Sequence, residues 1–147
     1  MTVQLHHASV VVDDLEAAKA FFAALGMELE GEAPIEGPWV DRVNALDGVR
    51  VDIAMMRTPD GQGRLELTKF HSPTAVAPEP QNALGNTLGL RSIMFQVDDV
   101  TATLTDLRAH GGALVGEVEQ YGDSYRLCYV RGPAGIIVAL AEPLSSH

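Results

Sequence analysis

The sequence predicts an α+β fold built from two tandem copies of one strand–helix–strand unit, and three observations carry that expectation. First, segments recur at a fixed offset of 85 residues: Val12-Asp13-Asp14-Leu15 returns as Val97-Asp98-Asp99-Val100, Gly26 as Gly111, Leu29 as Leu114, and Gly31-Glu32 as Gly116-Glu117. Second, the matched residues fall where a helix would begin and end in each copy. Third, each copy opens on a run of alternating apolar residues and then changes to helical spacing.

The opening strands are His7 to Val12 and Arg91 to Val97, rich in β-branched residues. In the first copy Asp13 can cap the following helix, with Glu16 reaching back three residues later in a capping box. Leu15, Ala18, Phe22 and Leu25 form its apolar stripe and Gly26 its C-terminal cap. In the second copy Asp98 or Asp99 caps, Val100, Leu104 and Leu107 make the stripe, and Gly111 with Gly112 ends the helix. Two further strand-like runs follow each helix: Val49 to Arg57 and Arg64 to Phe70, then Tyr125 to Val130 and Ile136 to Leu140. Pro59-Asp60-Gly61 and Pro133-Ala134-Gly135 join each pair, glycine supplying the positive φ that a reversal needs. The first module is therefore expected over residues 1–72 and the second over 89–147, with an extended, proline-containing linker over 73–88 and one compact domain overall.

Composition narrows the function classes. A chain of 147 residues holds one well-filled core or two tightly joined halves, not two independent domains. Its 46% hydrophobic and 20% charged residues are close to globular averages, which argues against disorder. No apolar run approaches the roughly 18 to 20 residues of a membrane span. Met1 to Leu5 lack the basic start and long apolar stretch of a secretory signal, so a cytoplasmic protein without a membrane partner is expected. Cys128 is the sole cysteine, which excludes an internal disulfide and a thiolate metal cluster. A formal charge of -10, with no cluster of Lys and Arg, argues against nucleic acid as a partner.

Side chains alternate along a strand, so parity separates the helix-packed face from the other. The second face carries His7, Ser9 and Val11 in the first strand and Arg64, Glu66 and Thr68 in the run from Arg64. In the second copy it carries Ser92, Met94 and Gln96, and then Ile137, Ala139 and Ala141. Such a mixture of apolar residues with a few polar ones suits a small-molecule site as well as it suits a solvated sheet face.

Several segments together resemble the vicinal-oxygen-chelate superfamily of glyoxalase I, methylmalonyl-CoA epimerase, extradiol dioxygenases and the bleomycin and fosfomycin resistance proteins. They are His7-Ala-Ser-Val-Val-Val-Asp-Asp-Leu15, Phe21-Phe22 with Leu25-Gly26, and Pro59-Asp-Gly61 with Leu65-Glu-Leu67. Phe95-Gln-Val-Asp-Asp99 and Arg131-Gly-Pro-Ala-Gly135 with Leu140-Ala-Glu-Pro143 complete the set. The resemblance spans nearly the whole chain. It implies two βαβββ modules whose strands form a cup-shaped mixed sheet around one small-molecule site, and it implies a homodimer, because many relatives pair their chains. In metal-dependent relatives four ligands sit in the cup, and carried over they fall on His7, Glu66, Ser92 and Ala139. Only the first two are metal-ligating residue types, whereas catalytic zinc normally keeps three protein ligands and a water. His6 points to the other face by parity.

The resemblance therefore implies a protein that binds or transforms a small organic compound without the usual four-ligand metal. Two rivals stay open: a metal-dependent lyase, epimerase or dioxygenase-like enzyme holding a divalent cation with His7 and Glu66, and a non-catalytic interaction module. His7 and Glu66 are the candidate catalytic residues, as a proton-transfer pair, although a histidine at a strand start is also often bonded only to backbone. Arg64 can serve a ligand or simply pair with Glu66. Ser9, Ser92, Met94, Gln96 and Ala139 are placed in the cup by parity and resemblance. Trp39, Tyr121 and Tyr125 offer flat apolar surface with a polar edge. Arg126 is either a fork-shaped donor to an anionic ligand group or half of a surface ion pair. One of Met55 and Met56 must face the helix.

Overall fold

In the computed structural model, which describes residues 2–144, each half of the chain opens on a strand, continues into a helix and closes on further strands. They form two compact units, residues 1–77 and 78–147. The first contains β1 (Ala8–Val11), α1 (Leu15–Leu25), β2 (Glu28–Glu36), α2 (Pro38–Asn44), β3 (Arg50–Arg57) and β4 (Arg64–Ser72). Its sheet runs β1-β4-β3-β2, with β1 parallel to β4 and the other pairs antiparallel. This is a βαβββ module with one additional short helix.

Helix α1 begins one residue later than its sequence suggests. The Asp14 side chain accepts from the Ala17 amide at 3.0 Å, which makes Asp14 the cap. The capping-box position then belongs to Ala17, and Glu16 instead pairs with Lys19. The helix ends at Gly26, whose φ of 120° lies where side chains are disfavoured. Its buried face is Ala18, Phe21 and Phe22, set against strands whose inward residues include Ala54, Met56, Leu65 and Leu67, all buried. At roughly 1.5–3 kcal/mol per large apolar side chain, this layer supplies most of what holds the unit together.

Local composition predicts neither strand β2 nor helix α2, although the βαβββ plan implied by the resemblance calls for a strand at the place of β2. Four glutamates, Gly31 and Pro34 give β2 the composition of a loop, yet it pairs along β3 from Glu28 to Glu36. Three of the four glutamates are paired with cations on neighbouring elements: Glu28 lies 3.4 Å from Arg57 on β3, Glu30 3.0 Å from Arg64 on β4, and Glu32 is bonded to Lys19 on α1. Proline and paired charges are features tolerated on an edge strand. Helix α2 starts on Pro38 and buries Val40 with Val49 and Val51 on the sheet, where Ile35, Ile53 and Phe70 pack around them.

The second unit repeats the plan with β5 (Ser92–Gln96), α3 (Val100–Arg108), β6 (Ala113–Leu114), β7 (Glu119–Tyr121), β8 (Tyr125–Arg131) and β9 (Ile137–Pro143). Its sheet runs β5-β9-β8-β6, with β7 also on β8. Asp99 caps α3 by accepting from the Ala102 amide at 3.0 Å. Val100, Leu104 and Leu107 are buried with Cys128, Val130, Val138 and Leu140. Strand β9 is buried on both faces from Ile137 to Ala141.

The segment 73–88, expected as an extended linker, is divided between the units. Residues from 78 onward fold against the second one: Arg131 Nη1 donates to the Ala83 carbonyl at 3.0 Å. Gly135, at φ 77°, lies so near this segment that a Cβ there would be 2.5 Å from the Gln81 carbonyl oxygen. No helix among the described residues is long and apolar enough to cross a membrane.

Candidate functional site

Strand register builds a polar cluster on the face of the first sheet that α1 leaves uncovered. Along β4, Leu65 and Leu67 point toward α1, so Glu66 and Thr68 point away from it. The parallel pairing sets Ser9 beside Glu66 and Val11 beside Thr68, and the antiparallel pairing sets Met55 on the other side of Glu66. The apolar contact under α2 closes one end of this face. Val11, in the row of Thr68 and Ile53, is exposed, and Met55, in the row of Glu66, is half-buried.

Glu66 is held in place. Its Oε1 accepts from the Ser9 hydroxyl at 3.2 Å and from the Thr68 hydroxyl at 3.1 Å, and Thr68 is only 6% exposed. Its Oε2 faces His7 Nε2 at 3.6 Å, beyond hydrogen-bond length. Both side chains keep partial access to solvent, 28% for His7 and 22% for Glu66. His7 sits immediately before β1, and its Nδ1 lies 2.7 Å from Nδ1 of His6, the two rings meeting edge to face. His6, assigned to the other face by parity, reaches His7 because neither residue belongs to the strand, where alternation would hold.

Arg64 does not pair with Glu66. It makes a two-pronged contact with Glu30 instead, Nε to Oε1 at 3.0 Å and Nη2 to Oε2 at 3.1 Å. Register explains the choice: a bulge between Leu29 and Gly31 leaves Glu30 unpaired in the ladder and free to reach across. The guanidinium hydrogen bond holds the Glu30 carboxyl below the usual carboxylate range. Trp39 stands on α2 with 55% of its surface exposed, and of the two methionines it is Met56 that faces the helix.

In the second unit, Ser92, Met94 and Gln96 share one face of β5, and Ala139 lies on the same face of β9, between Met94 and Tyr129. Ala139 is 1% exposed, its methyl sunk between those two larger side chains, whereas Met94 is 55% and Tyr129 43% exposed. Tyr125 and Tyr121 continue this face through the pairs Tyr125 with Pro143 and Tyr121 with Tyr125. Arg126 lies on the opposite face, as its neighbouring position in β8 requires. There it comes within 3.7 Å of Glu142, whose Oε1 accepts from the Val100 amide at 2.9 Å at the start of α3. Of its two alternatives, the ion pair is the one present.

Three participants escape the sequence reading: Thr68 as a support for Glu66, Glu30 as the partner of Arg64, and Tyr129. Tyr129 was accessible, since it shares parity with Tyr125.

The model for the Glyoxalase/Bleomycin resistance protein/Dioxygenase superfamily matches residues 4–140. The chain belongs to this superfamily. It is 31% identical over 108 residues to the uncharacterized protein YaeR of Escherichia coli (strain K12), covering 73% of this chain and 70% of that protein. Among solved structures it is similar to a glyoxalase family protein from Bacillus cereus, with 45% identity, a TM-score of 0.93, and 99% and 97% of the two chains covered. A more distant likeness, at 15% identity and a TM-score of 0.59, covers 95% of this chain and 90% of a fosfomycin resistance protein variant from Listeria monocytogenes. That variant was solved with manganese(II) and a dihydroxypropylphosphonic acid.

A superfamily metal would find too few donors here. His7 and Glu66 are ligand types, but the positions equivalent by internal repeat and strand place are Ser92, a weak neutral donor, and Ala139, which has none. Among the described residues no three His, Cys, Asp or Glu side chains are grouped so as to hold a metal ion.

Proposed function

We propose that this superfamily member binds a small organic molecule on the uncovered face of its first sheet without the superfamily's four-ligand metal centre, with His7 and Glu66 as the polar anchor. The observation that carries the reading is the fixed carboxylate of Glu66. Two hydroxyls orient one of its oxygens, while the other stays available beside an imidazole and the apolar side chain of Met55. A few oriented polar groups within an apolar surround are the usual makings of a ligand site. By the family resemblance Ala139, paired with Met94 and Tyr129, falls where metal-dependent relatives carry a ligating carboxylate, and its methyl offers a metal no donor. Ser9 belongs to this site as a support for Glu66. In the second unit, Ser92, Met94, Gln96, Tyr121 and Tyr125 are proposed as a ligand-binding surface of their own, mixed polar and aromatic in character.

Thermal unfolding of the full chain against a collection of small metabolites, with and without EDTA, tests the reading. A compound present at 100 times its Kd should stabilise by about 2.7 kcal/mol, an increase of roughly 5–10 °C in Tm, whether or not EDTA is present. Stabilisation that needs an added divalent metal and disappears with EDTA would favour a metal-dependent lyase or isomerase instead.

We further propose a homodimer. Strands β1 and β2 end the first sheet, and Leu84, Leu88 and Leu90 are each more than two-thirds exposed. Light scattering that gives a monomer mass at high micromolar concentration would remove this claim.

A further inference from the structure

We infer that the His7–Glu66 anchor recognises an uncharged hydroxyl group of the ligand, as donor and acceptor at once; this rests on the small-molecule reading above and narrows its chemistry. The 2.7 Å approach of the two Nδ1 atoms requires one proton between them, and which ring supplies it decides what His7 presents to Glu66. If His7 donated, its neutral ring would turn a bare Nε2 lone pair toward the Glu66 carboxylate, two acceptors facing each other. If His6 donates, His7 carries its proton on Nε2 and faces Oε2 with an N–H. The second arrangement is electrostatically favourable and the first is not, so His6 is the positioning residue that sets the His7 tautomer.

The result is a donor and an acceptor 3.6 Å apart that do not satisfy each other. Glu66 Oε1 already has two donors, so Oε2 is the acceptor left for a ligand. A hydroxyl completes both groups, accepting from His7 Nε2–H while donating to Glu66 Oε2. A carboxylate or phosphonate would meet Glu66 and the field of a chain with formal charge -10. An ammonium could donate to Glu66 but has no lone pair for His7. Met55, the cross-strand neighbour of Glu66, favours an apolar body beside that hydroxyl.

Three probes of one skeleton separate these cases: benzyl alcohol, benzylammonium and benzoate, titrated into the full chain at physiological salt and followed by NMR shifts. Benzyl alcohol should bind saturably, at least about tenfold tighter than either charged analogue, a difference of about 1.4 kcal/mol. His7→Ala and Glu66→Ala should each weaken it by about tenfold. Glu66→Gln, which keeps the shape and removes the charge, should narrow the discrimination against benzoate. Long-range proton–nitrogen spectra should place the His7 proton on Nε2, and His6→Ala should redistribute it between the two nitrogens. No saturable binding of benzyl alcohol overturns the inference. So does benzoate or benzylammonium binding as tightly, or binding that ignores both substitutions. A metabolite that stabilises the chain in EDTA but is anionic would overturn this inference while leaving the small-molecule reading intact.

Discussion

Thr68→Val removes one hydroxyl from the support of Glu66 and changes little else, since the two side chains are nearly the same shape. The lost bond runs to a carboxylate at 3.1 Å from a residue only 6% exposed, and hydrogen bonds to charged groups contribute about 1.5–3 kcal/mol. Two effects reduce the net change. A buried hydroxyl no longer has to be desolvated, and Glu66, 22% exposed, can recruit water to the vacated position. The expected destabilisation is therefore about 1 kcal/mol, or roughly 2–4 °C in Tm for a chain of this size. Ser9→Ala, at an exposed position, should cost only a few tenths of a kcal/mol by itself. Because both hydroxyls bond the same oxygen, the double variant should lose about 0.5–1 kcal/mol more than the two single losses together. Urea unfolding of the four proteins closes this cycle. Thr68→Val at or above wild-type stability, with no coupling to Ser9, would refute the claim that these hydroxyls hold the carboxylate in place.

Other expectations concern the frame around the site. Phe22→Ala, at a fully buried side chain, should destabilise by about 3–5 kcal/mol in denaturant titrations. Gly26→Val and Gly111→Val should each cost about 1–3 kcal/mol from backbone strain alone, because φ is 120° and 89° while nothing lies within 4 Å of an added Cβ. Melting points unchanged in both would contradict the placement of these reversals. The Glu30 carboxyl, held low by Arg64, contributes stability above the ordinary carboxylate range and loses it as pH falls through its depressed folded value. The stability difference between wild type and Arg64→Ala should thus be constant above about pH 5 and shrink below about pH 4. A difference that grows with acid would reverse the assignment.

The duplication was the most legible feature of the sequence, because a repeat at fixed offset and its glycine and aspartate punctuation report backbone geometry directly. The α+β class and three strands of each module follow from it, with the superfamily resemblance supplying the fourth strand of the βαβββ plan. Strand β2 was illegible for a physical reason: its stability comes from partners on other elements, Arg57 and Arg64 on β3 and β4 and Lys19 on α1, and local composition records none of them. Helix α2, seven residues long and held by Val40 on the sheet, likewise depends on tertiary packing more than on propensity. In the candidate site, parity correctly placed Ser9 and Thr68 with Glu66. Parity failed at His6, where the chain had not yet entered regular strand geometry, and the Arg64–Glu66 alternative gave way to Glu30 at a bulge that residue spacing does not reveal. Arg126 shows a different limit, since its residue type left a ligand contact and an ion pair equally open and only the position of Glu142 decides which is present.

The absence of a four-ligand metal is the claim on which the account turns, and metal analysis joined to calorimetry tests it most directly. Protein purified without chelator should carry well under one metal per chain. After stripping, zinc(II) and nickel(II) should bind no tighter than about 10 μM, with His7→Ala and Glu66→Ala leaving that weak binding nearly unchanged. One zinc, nickel, manganese or iron per chain, lost on substitution of His7 or Glu66, would contradict it.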